Sequence, residues 1–409
     1  MTKAMMAGIK GALLALAASA ALVACGGGGD GGAATAPTPA PGPGTGTLRV
    51  ALTDAPACGF DQVNVTVERV RVHASMTAND NDGGWTDLVM NPARKIDLLT
   101  LQNGVLMELG QTALPAGTYT QIRLVLSPNG SGSPANSVKP TGGSETPMDT
   151  PSAMQSGLKL INGFTVQAGQ LTDVVIDFDA CKSIVTRGNG TYGLKPVMQM
   201  IPRSLTAITG YVEAGVAGVT VSAQKNGLVL RSTQPNANGQ FVLAPVDPAK
   251  GPYDVVFTAA GRTTSVITAV PVALDQATTV SAAGNAVTMP ISTTGVVSGK
   301  LLPAGAQSTG SVRAMQSVGA APLVEVAHMN VNPSTGDYSF TLPLAPPRLL
   351  THASGNLVIN PLPFVAQAAS AGKYKLEGLA TGYQTKLGGE LTLGAAALTG
   401  QDISLIPAP

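Results

Sequence analysis

The chain predicts an all-β protein of tandem β-sandwiches, and three observations carry that expectation. Glycine and proline are abundant, with 49 and 30 copies in 409 residues. The hydrophobic fraction is 44%, and Val, Ala and Leu dominate it. Apolar residues also alternate with polar ones over short stretches bounded by turn formers. Such a chain makes many short strands rather than long helices. Its length suits two or three domains. Charged residues are only 11%, with 24 Lys and Arg against 23 Asp and Glu, so no basic face is implied. Phosphate binding needs clustered cations, which excludes nucleic acid as an expected partner. Disorder throughout would need lower hydrophobicity and a larger net charge.

Lys3 and Lys10 precede an apolar run, Gly11 to Ala24, ending in Leu22-Val23-Ala24-Cys25 and followed by four glycines. About 20 apolar residues are needed to cross a bilayer. The run is shorter and rich in alanine, so residues 1–24 read as a removed secretory signal. An ordinary signal would need Ala24 but not Cys25. The pattern closely resembles the lipobox of bacterial lipoproteins. The resemblance implies that Cys25 is diacylated, begins the mature chain and anchors it in the lipid bilayer. Each buried methylene contributes about 0.8 kcal/mol to such an anchor. By the sorting rule of such lipoproteins, Gly26 after the cysteine implies the outer membrane.

Residues 25–46 form a tether. Its Gly-rich part is flexible and its Thr-Pro-Ala part extended, with a reach on the order of 25 Å. With Cys25 lipidated, Cys58 and Cys181 remain as an even pair in an oxidising compartment, and a disulfide between them is the natural reading. On the chain-entropy view it contributes about 5 kcal/mol. Two buried thiols are the alternative.

The first folded domain is expected over residues 47–204. Leu48, Val50 and Leu52 alternate as an opening strand. Valines then stand at 63, 65, 67, 70 and 72. The phase slips between Val67 and Val70, and a strand of period two cannot keep one apolar face through that slip. A β-bulge near Glu68-Arg69 is predicted. Further strands are expected over residues 96–101 and 118–126, the latter with Ile122, Leu124 and Leu126 inward. Leu114-Pro115-Ala116-Gly117 reads as a tight turn. Residues 127–157 read as a long loop. Residues 164–166 and 171–178 are expected to form one hairpin, and 183–186 with 192–200 a second.

LTDAPACGFDQVNVTVERVRVH, KIDLLTLQNG, LPAGTYTQIRLVL, TPSAMQSGLKL and VVIDFDACKSIV together resemble a bacterial lipoprotein domain of unknown function, DUF4382. The resemblance implies a packed 127–157 segment and no particular activity. Residues 205–290 contain ITGYVEAGVAGVTVSAQ, PNANGQFVLAPV and GPYDVVFTAAGR. This order of a Gly-x-Val strand, an Asn-Gly-x-Phe hairpin and a Gly-x-Tyr strand resembles the carboxypeptidase-regulatory-like, transthyretin-like sandwich. Residues 291–409 repeat it more loosely, with an insertion between Pro343 and Gly372.

Catalytic motifs are scarce. The sequence holds no G-x-S-x-G, H-E-x-x-H, P-loop or C-x-x-C. His73, His328 and His352 stand far apart, and His73 is expected to cap a strand end. Asp173, Asp177 and Asp179 share one strand face, because side chains two apart point the same way. They could ligate a cation or form an acid pair, but a solvated outer face is the expected reading. The run Asn79-Asp80-Asn81-Asp82-Gly83-Gly84 is oxygen-rich, yet Trp85 occupies the position where an EF-hand needs glycine. A polar hairpin tip is expected there, with Asp80 and Asp82 as weak ligand candidates. Trp85, the single tryptophan, is either a core anchor or a sugar-stacking platform.

These residues point to a non-catalytic envelope lipoprotein without cofactor or bound metal, acting as a binding or structural module for glycan, polymer or protein. A pure stalk is the alternative. A hydrolase built on Asp177 and Asp179 lacks a recognisable nucleophile and base.

Overall fold

The computed structural model describes residues 44–55, 59–151, 156–160, 163–188, 190–203, 206–319 and 323–409. It is all-β, and three separate apolar cores organise it. No helix among the described residues is long and apolar enough to cross a membrane.

The first core lies between two sheets. One has four strands, in the order Met198–Pro202, Leu171–Asp179, Thr45–Ala55 and Met107–Pro115. The other has eight and is centred on the long Phe60–His73 strand, which pairs with Thr86–Asp97, Gln121–Leu126 and Ser137–Pro140. Leu48, Val50, Leu52, Val174, Ile176 and Phe178 from the first sheet meet Val63, Val65, Val67, Val70, Val72, Ile122, Leu124 and Leu126 from the second. The register of the Phe60–His73 strand shifts between Val67 and Arg69 against both neighbours. The predicted bulge is there, and the extra residue lets all five valines face one core.

Three local expectations fail. Residues 127–157 are not a loop: Ser137–Pro140 and Thr146–Asp149 pair with each other and extend the eight-stranded sheet. Phe164–Val166 and Leu171–Asp179 do not pair as a hairpin. The former joins Gly117–Tyr119, and the latter runs parallel to Thr45–Ala55. Residues 98–101 form a 3-10 turn capped by Asp97 rather than continuing a strand. Adjacency in sequence favours hairpins, but Phe164–Val166 and Leu171–Asp179 each pair with a strand elsewhere in the chain. The hairpin of Ile184–Thr186 with Tyr192–Leu194 forms as expected.

The second core comprises residues such as Ile208, Val221, Phe241, Val255, Phe257 and Ile267. Asn226-Gly227 closes the hairpin of Thr220–Lys225 with Leu228–Thr233, but the Asn238-Gly239 turn does not close one. Leu228–Thr233 pairs with Thr220–Lys225, whereas Gln240–Leu243 pairs with Ala207–Tyr211, so the turn carries the chain from one sheet to the other. Gly239 makes that crossing possible: its φ is +78°, and a Cβ there would lie 2.1 Å from the Val212 carbonyl oxygen. The third core, with Val297, Leu301, Val312, Tyr338, Phe340 and Tyr374, repeats the arrangement. The 343–372 insertion serves the second sandwich instead. Arg348–Thr351 runs parallel to Ser265–Val270, and Leu350 and Leu362 enter the second core. Val256 and Val266 also meet Val318 and Val324 in an apolar seam between the second and third sandwiches.

Candidate functional site

The acid row of the Leu171–Asp179 strand is not a solvated face. The second and third sandwiches border its inner end at Asp177 and Asp179, whereas Asp173 is held within the first sandwich. Asp173, at the outer end, accepts from Arg49 Nε at 2.9 Å, with Arg203 at 3.7 Å. Asp177 is 4% exposed and pairs with Arg231, which is 2% exposed and comes from the Leu228–Thr233 strand of the second sandwich. The same guanidinium donates to Thr53 Oγ1 at 2.9 Å. Gln199 completes the contact, donating to Asp177 Oδ2 at 2.9 Å and to the Leu230 carbonyl. Burial lowers the Arg231 pKa to about 10, with Asp54 acting against that shift, so the group remains a cation at neutral pH.

Asp179 caps the short helix Ala180–Ser183, accepting from the Lys182 amide at 3.0 Å. Burial raises its pKa, against the pull of Lys182. Lys182 reaches across to Glu325 of the third sandwich at 3.0 Å. Glu325 also takes Arg313 at 3.1 Å, and Arg313 in turn donates to Glu377 at 2.8 Å through Nε. The second sandwich closes the triangle. Gln224 donates to the Glu325 carbonyl and accepts from its amide, both at 2.8 Å. Asp173, Asp177 and Asp179 thus each face a cation. Asp177 joins the first sandwich to the second, whereas Asp173 and Asp179 take cations of the first sandwich itself, and no two of the three share a proton-binding site.

Two cavities, of about 280 and 360 Å³, open at this junction, and His328 lines both. Burial lowers the His328 pKa well below its ordinary value, and Lys182, Lys195 and Arg313 lower it further. In the unfolded chain the imidazole has its ordinary pKa near 6.5. The folded state, with the depressed pKa, is therefore fully favoured above about pH 6.5 and loses stability as pH falls below it. Unfolding midpoints measured from pH 7.5 to 5 are expected to fall more in the native chain than in His328→Gln. Parallel curves would remove His328 from the junction's acid response.

The Asn79–Trp85 segment links Phe60–His73 to Thr86–Asp97, and its carboxylates are already engaged. Asp80 pairs with the buried Arg123, and Asp82 accepts from the Asn79 amide at 2.8 Å. Among the described residues no cluster of His, Cys, Asp and Glu is arranged to hold a metal. Trp85 is half-buried, and neither of its expected roles describes its surroundings. Arg71 and Arg123 lie 4.8 and 4.6 Å from its ring centroid, and His73 packs 5.0 Å away. These contacts occupy the ring. His73 ends its strand, accepting from the Ser75 amide at 2.9 Å.

A larger groove, about 1190 Å³, runs between the first and third sandwiches, with Phe60 and Tyr192 on one wall and Lys300, Asn332 and Tyr338 on the other. Cys25 and Cys58 lie outside the described residues. Cys181 lies on the Ala180–Ser183 helix and lines the groove.

Arg231, Arg313 and Glu325 were missed by sequence reasoning, although a signal existed. Each stands inside an otherwise apolar or small-residue strand of a chain with few charges. A charge in such a place is either solvated or paired across an interface.

Residues 45–196 match the family described as a domain of unknown function, DUF4382. No curated protein matches the chain. Among solved structures, a streptococcal ancillary pilin is similar at 11% identity and a TM-score of 0.18, covering 89% of this chain and 99% of its own. A minor pilin of Streptococcus agalactiae is similar at 11% identity and a TM-score of 0.19, covering 58% of this chain and 95% of its own.

Proposed function

We propose that this protein is a lipid-anchored component of the bacterial cell envelope whose three sandwiches act as one rigid, non-catalytic body for binding or support. The observation that carries the rigid-body reading is the junction where Asp177–Arg231 joins the first sandwich to the second, Lys182–Glu325 joins the first to the third, and Gln224 hydrogen-bonds the second to the Glu325 backbone of the third. Burying unpaired charges is costly, so each pair holds its sandwiches in one relative position. A hydrolase finds little support in an acid row whose members each face a cation. The carboxypeptidase-regulatory-like likeness of the second and third sandwiches belongs to the same reading.

Anchoring rests on Leu22-Val23-Ala24-Cys25, and Gly26 supports an outer-membrane address. Cys25→Ala is expected to abolish fatty-acid labelling and move the protein from the membrane to the soluble fraction. Unchanged membrane retention would refute the anchor. The Cys58–Cys181 disulfide is also part of the proposal. Non-reducing peptide mapping should join those two peptides, and a different partner for Cys181 would reject the pairing.

A further inference from the structure

We propose that the groove between the first and third sandwiches is a binding site for a neutral, extended oligosaccharide, with Phe60 and Tyr192 as its stacking wall. The inference rests on the reading of this protein as a non-catalytic binding body, and gives that body a ligand class and an address.

The first argument is where the aromatic side chains stand. The chain has only seven phenylalanines, seven tyrosines and one tryptophan. Phe60, Tyr192 and Tyr338 all line this one groove. Phe60 and Tyr192 begin their strands on the rim of the eight-stranded sheet and pack edge to face, with centroids 5.7 Å apart. Both are half-buried, so each presents part of a ring to the groove. Tyr338 is nearly buried, and its hydroxyl donates to the Gln401 carbonyl, which makes it part of the floor. A rigid ring with an apolar face and a polar edge suits a sugar, whose C–H faces are apolar and whose rim is hydroxylated.

The second argument is charge. Two cations, Arg187 and Lys300, and two acids, Asp337 and Asp402, line the groove. Lys300 lies 2.8 Å from Asp337, its amide donates to Asp402 at 2.9 Å, and Arg187 pairs with Asp149. No excess of either sign faces the opening, so neither an anionic polymer nor a cationic peptide is attracted by it. Hydrogen-bonding capacity for hydroxyls remains. The Asn332 side-chain oxygen accepts from the Ser334 and Thr335 amides at 2.9 and 3.2 Å, whereas its Nδ2 donates to no group among the described residues.

The third argument concerns peptide and size. An extended peptide would add to a free strand edge. The edge of Ile184–Thr186 is partly capped, because Asn330 Nδ2 donates to the Lys182 and Ile184 carbonyls at 2.9 and 3.3 Å, whereas the edge strands Val324–Asn330 and Asp337–Pro343 also border the groove, so a peptide is the competing occupant that the test includes. The groove volume exceeds what a single sugar fills and suits a chain of several.

The test is calorimetric titration of the full chain, purified in detergent. The probes are chitohexaose, cellohexaose and laminarihexaose as neutral hexasaccharides, a hexamer of galacturonate as an acidic one, and an extended six-residue peptide of Thr and Val. At least one neutral hexasaccharide should bind. Tyr192→Ala should weaken it about tenfold, as expected for a lost stacking face. Asn332→Ala should weaken it severalfold, Tyr192→Phe should retain it, and Trp85→Phe should leave it unchanged. Circular dichroism confirms folding, and Asn332, on an exposed turn, gives a second reading if Tyr192→Ala misfolds. The assignment is overturned if no neutral hexasaccharide binds, if only the acidic sugar or the peptide binds, or if binding survives both Tyr192→Ala and Asn332→Ala undiminished. Membrane release by Cys25→Ala is measured separately, so loss of the sugar site would leave the anchored-body reading standing.

Discussion

Arg231→Met is expected to destabilise the protein by about 3–5 kcal/mol, the usual result of removing one partner of a buried ion pair. Asp177 would lose its cation at 4% exposure and retain, among the described residues, the Gln199 amide as donor. Thr53 would lose its guanidinium contact in the same step. Methionine fills the aliphatic volume, so the loss reports charge rather than a cavity. Urea unfolding of the full chain measures it, read as a lower midpoint. The double variant Asp177→Leu with Arg231→Met should recover most of that loss, because replacing both members of such a pair with apolar groups is often neutral. An unshifted midpoint in the single variant would show that the pair is not buried between sandwiches in solution.

The second large effect is expected at Glu325. Its carboxylate serves Lys182 of the first sandwich and Arg313 of the third, and is 6% exposed. Glu325→Ala would remove the carboxylate that Lys182 and Arg313 share across the junction, leaving Lys182 with Asp179 at 3.9 Å and Arg313 with Glu377 on their own sandwiches. The expected result is release of the third sandwich from the first, with a loss on the order of 3–5 kcal/mol. The Gln224 bonds to the Glu325 backbone do not depend on the side chain and should persist. Small-angle scattering should show a larger radius of gyration, and hydrogen exchange should rise over residues 311–330. Lys373→Ala is the control. Its partner Glu390 is 46% exposed, and such surface pairs contribute about 0–1 kcal/mol. Scattering curves for Glu325→Ala that superimpose on the native protein would reject the junction as the element that holds the third sandwich.

Part of this architecture was legible residue by residue. Five valines with one slip in phase required a bulge between Val67 and Arg69, because period two is a property of the backbone and not of the partner strand. Likewise Ile122, Leu124 and Leu126 had to share a face. Pairing partners were less legible. Leu171–Asp179 reads as the second arm of a hairpin, but it lies parallel to Thr45–Ala55, more than a hundred residues away. Nothing local in either strand encodes that choice. The acid row shows the same limit. Alternation correctly placed Asp173, Asp177 and Asp179 on the face opposite Val174, Ile176 and Phe178, but it cannot say whether that face meets water or another sandwich.

The sequence by itself determined the strand-rich class, the inward face of each strand, the bulge, and the candidate lipidation signal ending at Cys25, because composition, periodicity and short motifs act within a few residues. Only the tertiary structure decided that the outward Asp177 is a joint between sandwiches, that the 343–372 insertion completes the second core, and that Phe60, Tyr192 and Asn332 border one groove. Those outcomes depend on which apolar faces and charges meet after the chain has collapsed, and the free energy of a meeting belongs to both partners at once.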